Sequence, residues 1–165
     1  VDFTITNATA ARAQDMDFAQ PLLNIELGYL VAPGSKLTSI ADLDRASVRV
    51  GVTQGSTSQR TLPAILKNAT IIPTMTVGAG AIMLRQDRLD AFATNQAILF
   101  EMSDTLPGSR VLDGRWGLEH LAIAVPKGRE QGLASLRTFT SDAIADGAVT
   151  RAAQRAGLRR SVKPQ

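Results

Sequence analysis

Short apolar runs rich in Val, Ile and Leu alternate along this chain with longer mixed segments rich in Ala, Arg and Gln. Val1-Asp2-Phe3-Thr4-Ile5-Thr6 alternates polar with apolar positions, which predicts a strand from the first residue. Leu27–Ala32 predicts a second strand, ended by the turn signal Pro33-Gly34. Leu37–Leu43 has the pattern of a short helix, with Ser39 as its cap and Asp42 three residues on as a weakened capping box. Val48–Val52 is a compact strand, and a helix is expected to start within Gln54–Gln59. Pro63 lies in its path, removing a donor and crowding the preceding turn, so a kink or a short first segment is expected.

The alternation continues to the C-terminus. Ile71-Ile72-Pro73 is a brief extended piece, and Gly80–Asp87 fits a helix with an apolar face through Val77, Ala81 and Leu84. Arg88–Thr94 returns to a buried strand, followed by a helix from Gln96 to Ser103 that stops before Pro107-Gly108. Leu121–Val125 is the last strand, closed by Pro126. Two tail helices are expected, Gln131–Ala145 and Ala148–Ala156, with Asp146-Gly147 as the turn between them. Strands alternating with helices of this length predict an α/β fold with a mostly parallel sheet. Such sheets take ligands beyond the carboxyl ends of their strands. A chain that opens inside a strand also predicts further residues upstream, the alternative being a short natural edge strand.

Composition narrows the classes. With 44% hydrophobic and 20% charged residues the chain can bury a sizeable core or two small lobes, which excludes disorder. The formal charge of +3 is spread thinly, and the densest basic run, Arg159-Arg160 with Lys163, lies in the tail. No nucleic-acid partner is therefore expected, since backbone binding wants a concentrated patch. Trp116, Tyr29 and five Phe are also too few for a base-stacking platform and read as core or cleft wall. Cysteine is absent, which excludes disulfides, thiolate nucleophiles and cysteine metal sites. His120, the single histidine, has no second histidine with which to hold a transition metal, so neither metal nor cofactor is expected. No apolar run approaches the length of a spanning helix, and no signal segment opens the chain, as would hold for the mature part of an exported protein.

Three places carry candidate binding chemistry. In Gly51-Val52-Thr53-Gln54-Gly55-Ser56-Thr57-Ser58 a strand ends, glycine allows a tight turn and three hydroxyl residues fall at a helix start. Free N–H groups and the positive helix end meet there, so Gly55, Ser56 and Thr57 could hold an anion; equally, one hydroxyl could simply cap the helix. No Gly-Lys-Ser/Thr follows, so this is not a nucleotide P-loop. Arg12, just past Asn7-Ala8-Thr9 at the end of the opening strand, has a guanidinium suited to a carboxylate, against the ordinary reading of a surface arginine. Asn7 and Thr9 are common turn formers. Asn95 follows a buried strand and precedes a helix, as a cap or as an amide aimed into a cleft. Glu119 and His120 are adjacent and so point in different directions; nothing near Ser56 supports a serine triad, and no enzyme is expected.

At these residues the chain resembles the bacterial extracellular solute-binding proteins of the polar amino-acid family, the periplasmic receptors of ABC importers. The stretches that carry the resemblance are VDFTITNATAARAQDMDFAQP at 1–21, VAPGSKLTSIADL at 31–43, VRVGVTQGSTSQ at 48–59, RLDAFAT at 88–94 and IAVPKG at 123–128. The resemblance implies the two-lobe type II periplasmic-binding-protein fold. Residues 1–28 and 124–165 would form a first lobe, residues 33–120 a second, and 29–32 with 121–123 the hinge crossings. Family members carry further residues ahead of the strand at Val1, so the first lobe would be incomplete here, exposing apolar surface or covering it by chain–chain contact.

The resemblance also assigns roles. Arg12 would clamp a ligand α-carboxylate, helped by Asn7 and Thr9, although the turn that carries them is shorter than the family pattern. Gly55, Ser56 and especially Thr57 would add the second lobe's share. The acidic residue that usually receives the ligand ammonium falls on Asn95, which offers oxygen without charge; Glu119 could take over, or the ligand is not a simple α-amino acid. The implied function is capture of an amino acid or related small carboxylate in the periplasm, after removal of a signal peptide, and delivery to an ABC-transporter permease. The alternatives are a ligand-sensing domain of a receptor or transcription regulator, and a dehydratase on the same scaffold.

Overall fold

The computed structural model describes residues 2–162, so Val1 of the opening pattern and Lys163 of the basic run lie outside the described residues. Two compact units divide the chain: unit 1 is Val1–Glu26 with Leu118–Gln165, and unit 2 is Leu27–Gly117. The polypeptide passes from one to the other within β2 (Met16–Val31) and again within β7 (Gly117–Pro126).

Unit 2 is a small wound α/β sheet. Its elements run β3 (Arg49–Thr53), α1 (Thr57–Ile65), β4 (Thr70–Thr74), α2 (Val77–Arg85), β5 (Ala91–Asn95), α3 (Gln96–Asp104) and β6 (Arg110–Val111). β3 pairs in parallel with β4 and β5, whereas β5 and β6 both pair antiparallel to β2. The sheet is therefore mixed, not mostly parallel as the sequence pattern predicts: helical crossovers feed only β3, β4 and β5, and the long strand β2 enters against them. Val50 and Val52 of β3 are fully buried with Tyr29, Leu43 and Leu62 in one apolar cluster; Leu30, Leu84, Phe92 and Leu99 centre a second. Phe92 fits only because its neighbours lack a side chain. A Cβ added at Gly51 or Gly80 would collide with the Phe92 ring.

Each helix start in unit 2 is built by the residue that ends the preceding strand or loop. Ser56 Oγ accepts from Gln59 N at 3.2 Å, Thr76 Oγ1 from Ala79 N at 3.0 Å, and Asn95 Oδ1 from Ile98 N at 3.1 Å. α1 runs unbroken through Pro63 instead of forming a first segment and a second. The helix ends two residues past the proline, at Ile65, and Leu66 N closes its last turn by donating to Leu62 O at 2.7 Å. The short helix expected at Leu37–Leu43 is a 3-10 turn at Ile40–Leu43, and the capping box between Ser39 and Asp42 is present. Asp42 accepts from the backbone N–H groups of Thr38 and Ser39, which hold its carboxyl down to about 2.

At the far end of β3, Asp90 grips Arg49 twice, at 2.9 Å and 3.0 Å, and also accepts its backbone N–H at 2.7 Å. The guanidinium hydrogen bonds hold the Asp90 carboxyl below its usual range. This engagement takes Arg88–Asp90 out of the strand, and β5 starts at Ala91.

Unit 1 holds β1 (Thr4–Asn7), the first part of β2, most of β7, α4 (Glu130–Ala145), α5 (Ala148–Arg155) and β8 (Ser161–Val162). β7 is flanked by β1 and β2, and β1 is an edge strand. β1 pairs antiparallel to β7 from Thr4↔Ala124 to Asn7↔Leu121, and β8 pairs antiparallel to β2 at Asn24↔Val162. Strand pairing begins at Thr4, later than the opening alternation suggests. The tail helices fall where the apolar spacing places them, with Gly147 at φ +76° in the turn between them.

Candidate functional site

The two groups of candidate residues lie in different units, and each has its own geometry. In unit 1, β1 ends at Asn7, which is only 3% exposed. Asn7 Oδ1 accepts the backbone N–H of His120 at 2.8 Å, and Ala8 N donates to His120 O at 2.8 Å. The chain then turns: Thr9 Oγ1 accepts Arg12 N at 3.2 Å, Ala13 N donates to Thr9 O at 2.9 Å, and a single 3-10 turn covers Arg12–Gln14. The half-buried Arg12 side chain folds back, and its Nη1 donates to Thr6 Oγ1 at 2.6 Å and to Asn7 O at 3.2 Å. Nη1 alone makes both contacts, and a guanidinium has five N–H donors in a planar fork. Asn7 and Thr9 thus shape the turn that carries Arg12. Glu119, half-buried on β7 in this same unit, is bonded within the structure.

In unit 2 the candidates sit at the carboxyl ends of neighbouring strands. β3 and β5 are parallel and in contact, so α1 and α3 begin at the same edge of the sheet. Gly55 takes φ +73°, a conformation that L side chains rarely adopt, and this sets the corner after β3. Its N–H donates to Gln59 Oε1 at 2.6 Å, Ser56 N donates to Thr53 O at 3.1 Å, and Gln54 N donates to Thr74 O at 2.8 Å. Ser56 is the N-cap, and Thr57 and Ser58 supply the first N–H groups of α1. No acidic residue stands in the first turn of α1, α2 or α3, so the positive helix ends are not offset there. Asn95 caps α3 with its carboxamide oxygen, which makes that oxygen a structural acceptor.

The structure therefore gathers Asn7, Thr9 and Arg12 into one corner, and Gly55, Ser56 and Thr57 into another, with Asn95 at the same sheet edge. Residues that sequence reasoning missed are Thr6, the nearest acceptor for Arg12, and Gln59, which closes the Gly55 corner. Gln59 stands three residues after the Ser56 cap, the spacing of a capping box, and could have been found from that signal. Thr6 lies within a strand pattern, which gives no hint of its side-chain partner. Among the described residues no group of three or more His, Asp or Glu is placed to hold a metal ion, and no helix is long and apolar enough to cross a membrane.

Comparison with known proteins decides the fold. The chain is 19% identical to a lysine-complexed binding component of an ABC transporter from Wolinella succinogenes, described as putative, and superposes on it with a TM-score of 0.84 over 93% of this chain and 69% of that one. An ancestral amino-acid-binding protein, a precursor of cyclohexadienyl dehydratase, matches with a TM-score of 0.82 at 22% identity, over 93% of this chain and 68% of that one. The fold is the type II periplasmic-binding-protein fold. A curated relative, a glutamine-binding protein of an ABC transporter from Bacillus subtilis (strain 168), is 28% identical over 138 residues, 81% of this chain and 50% of its own length. By sequence the chain is similar to glutamine-binding proteins, and by fold to the two solved structures above. It spans about half the length of the curated relatives it matches. No family model matches it.

Proposed function

We propose that this chain carries the carboxylate-binding groups of a periplasmic solute-binding protein. On this reading it captures an amino acid or related small carboxylate, without converting it, and delivers it to the permease of an ABC importer. The observation that carries the reading is Arg12. Its guanidinium is half-buried and anchored through one nitrogen by Thr6 Oγ1 and Asn7 O, at the carboxyl end of a strand. An arginine held in this way is pre-organised for a planar anion. Unit 2, taken separately, supports the same ligand class: no acid stands in the first turn of α1, so the positive helix end that follows Gly55 and begins at Ser56 and Thr57 favours negative charge.

Units 1 and 2 would then be the two lobes, the chain crossing between them at 26–27 in β2 and at 117–118 in β7. Ligand binding favours a closed state only as far as its affinity for that state exceeds its affinity for the open one. Asn95 and Glu119 are the groups proposed to meet the ligand's amino end. Titration calorimetry with L-glutamine, L-lysine and L-arginine tests the reading. The expected result is binding of one of them that Arg12→Ala weakens by about 2–5 kcal/mol, the usual loss when a buried charge pair loses one partner. Equal affinity in the variant would reject the clamp.

A further inference from the structure

We infer that His120, which the proposed binding chemistry leaves unused, is a positioning residue for the Arg12 guanidinium; the inference rests on the reading of Arg12 given above. Three adjacent strands of unit 1 are joined by one line of side chains. Asn24 on β2 is 6% exposed, and its Oδ1 lies 2.7 Å from Nδ1 of His120 on β7. With the Asn24 amide turned oxygen-first toward it, Nδ1 is the donor of this bond, which assigns the Nδ1–H tautomer. The main chain of His120 then holds the end of β1 from two sides, through Asn7 Oδ1 and through Ala8 N. Asn7 O and Thr6 Oγ1 are the two acceptors of Arg12 Nη1.

The ring thus adds a side-chain tie between β7 and β2, which are neighbours in the sheet; β7 holds the last residue of β1, and that residue holds the guanidinium. An apolar side chain at 120 would leave Asn24 Oδ1 buried without a donor. Such a loss is relieved only by moving Asn24 or β7. Movement of β7 is transmitted to Asn7, because both bonds at the end of β1 terminate on the backbone of residue 120. Sequence reasoning found this histidine as a group without a metal partner and as a neighbour of Glu119, but not its ties to Asn24 and Asn7, which lie 96 and 113 positions away.

The test is nitrogen-15 NMR of the full 165-residue chain as wild type, His120→Asn and His120→Leu. Asparagine places an amide nitrogen near the position of Nδ1, whereas leucine fills space without a donor. The expected result has three parts. The wild-type ring is in the Nδ1–H tautomer, Arg12 shows resolved and slowly exchanging guanidinium signals in wild type and His120→Asn, and those signals collapse to the free-arginine position in His120→Leu. Where His120→Leu does not fold, Asn24→Ala breaks the same bond from the other side and is expected to release Arg12 likewise. An Nε2–H tautomer, or unchanged Arg12 signals once the Asn24 bond is cut, would overturn the inference. A parallel L-glutamine titration separates it from the functional reading. Loss of affinity by about tenfold or more in His120→Leu, with recovery in His120→Asn, supports both. A wild type that binds no carboxylate sinks the functional reading, while the NMR result still decides whether His120 positions Arg12.

Discussion

Units 1 and 2 hold their candidate residues in place by different means. In unit 2, two apolar clusters lie against the sheet, and side chains such as Leu30, Val50, Leu62 and Phe92 are fully buried. Neither cluster extends into unit 1. There Phe3, Ile5 and Phe139 are 56%, 55% and 59% exposed, and the Arg12 corner is ordered by hydrogen bonds among Thr6, Asn7, Thr9, Asn24 and His120. The elements that carry the Gly55 corner are thus set by packing, which tolerates little change of volume, and the Arg12 corner by polar contacts, which tolerate volume change but not loss of a donor. Stability and binding are therefore expected to respond to different substitutions in the two units.

The most damaging change expected is Phe92→Ala. It removes a buried ring packed against Gly51 and Gly80, and should cost about 3–5 kcal/mol in urea unfolding. Fluorescence follows this transition directly, because the single tryptophan, Trp116, belongs to unit 2 and packs 6.2 Å from Tyr29. A shift that left the tryptophan transition in place would break the contrast between the units. Ser56→Ala removes the cap of α1 and should cost about 1 kcal/mol by the same measurement, with Ser56→Gly milder.

Acid should act on unit 2 through carboxyls that are held down in the fold. Backbone N–H groups lower Asp42 to about 2, the N–H of Asn68 lowers Asp44, and the Arg49 guanidinium lowers Asp90. Each binds its proton more weakly folded than unfolded. Their contribution is complete above the ordinary carboxyl value of 3.8 and is lost as pH falls through the folded values. A pH series of urea midpoints should show a falling tryptophan transition below about pH 4, lessened in Asp90→Asn. A flat profile would remove these carboxyls from the account. Phe139→Ser should have the least effect, within about 0.5 kcal/mol, since the ring packs little in this chain. A larger loss would show that the Phe139 ring packs more tightly than its exposure indicates.

Most of unit 2 was legible because its punctuation is local. Pro33-Gly34, the run Gly55-Ser56-Thr57 and the Asn95 cap each stand beside the element they end or start. Less could be read elsewhere. The first half of β2 contains Pro21 and shows no clean alternation, so only Leu27–Ala32 stood out from a strand that begins at Met16. β6 and β8 are two residues each, too short for any periodicity to register. The mixed sheet was hidden because alternating strands and helices describe only the crossovers, not the direction in which a long strand enters. For the candidate residues, sequence pointed to Arg12 and to the α1 corner through residue type and position. It could not supply Thr6 or Asn24, whose roles depend on partners fixed only by strand pairing.

The sixteen consecutive residues of β2 serve both units with a single alternation of side-chain directions. One extra residue near the Glu26–Leu27 junction would turn every following side chain to the opposite face, taking Tyr29 and Val31 out of their cluster while leaving Asn24 where it is. Natural length variation along this stretch should accordingly come in pairs of residues or be absorbed by a local bulge. Aligned descendants of such a chain would carry their insertions and deletions in the turns instead.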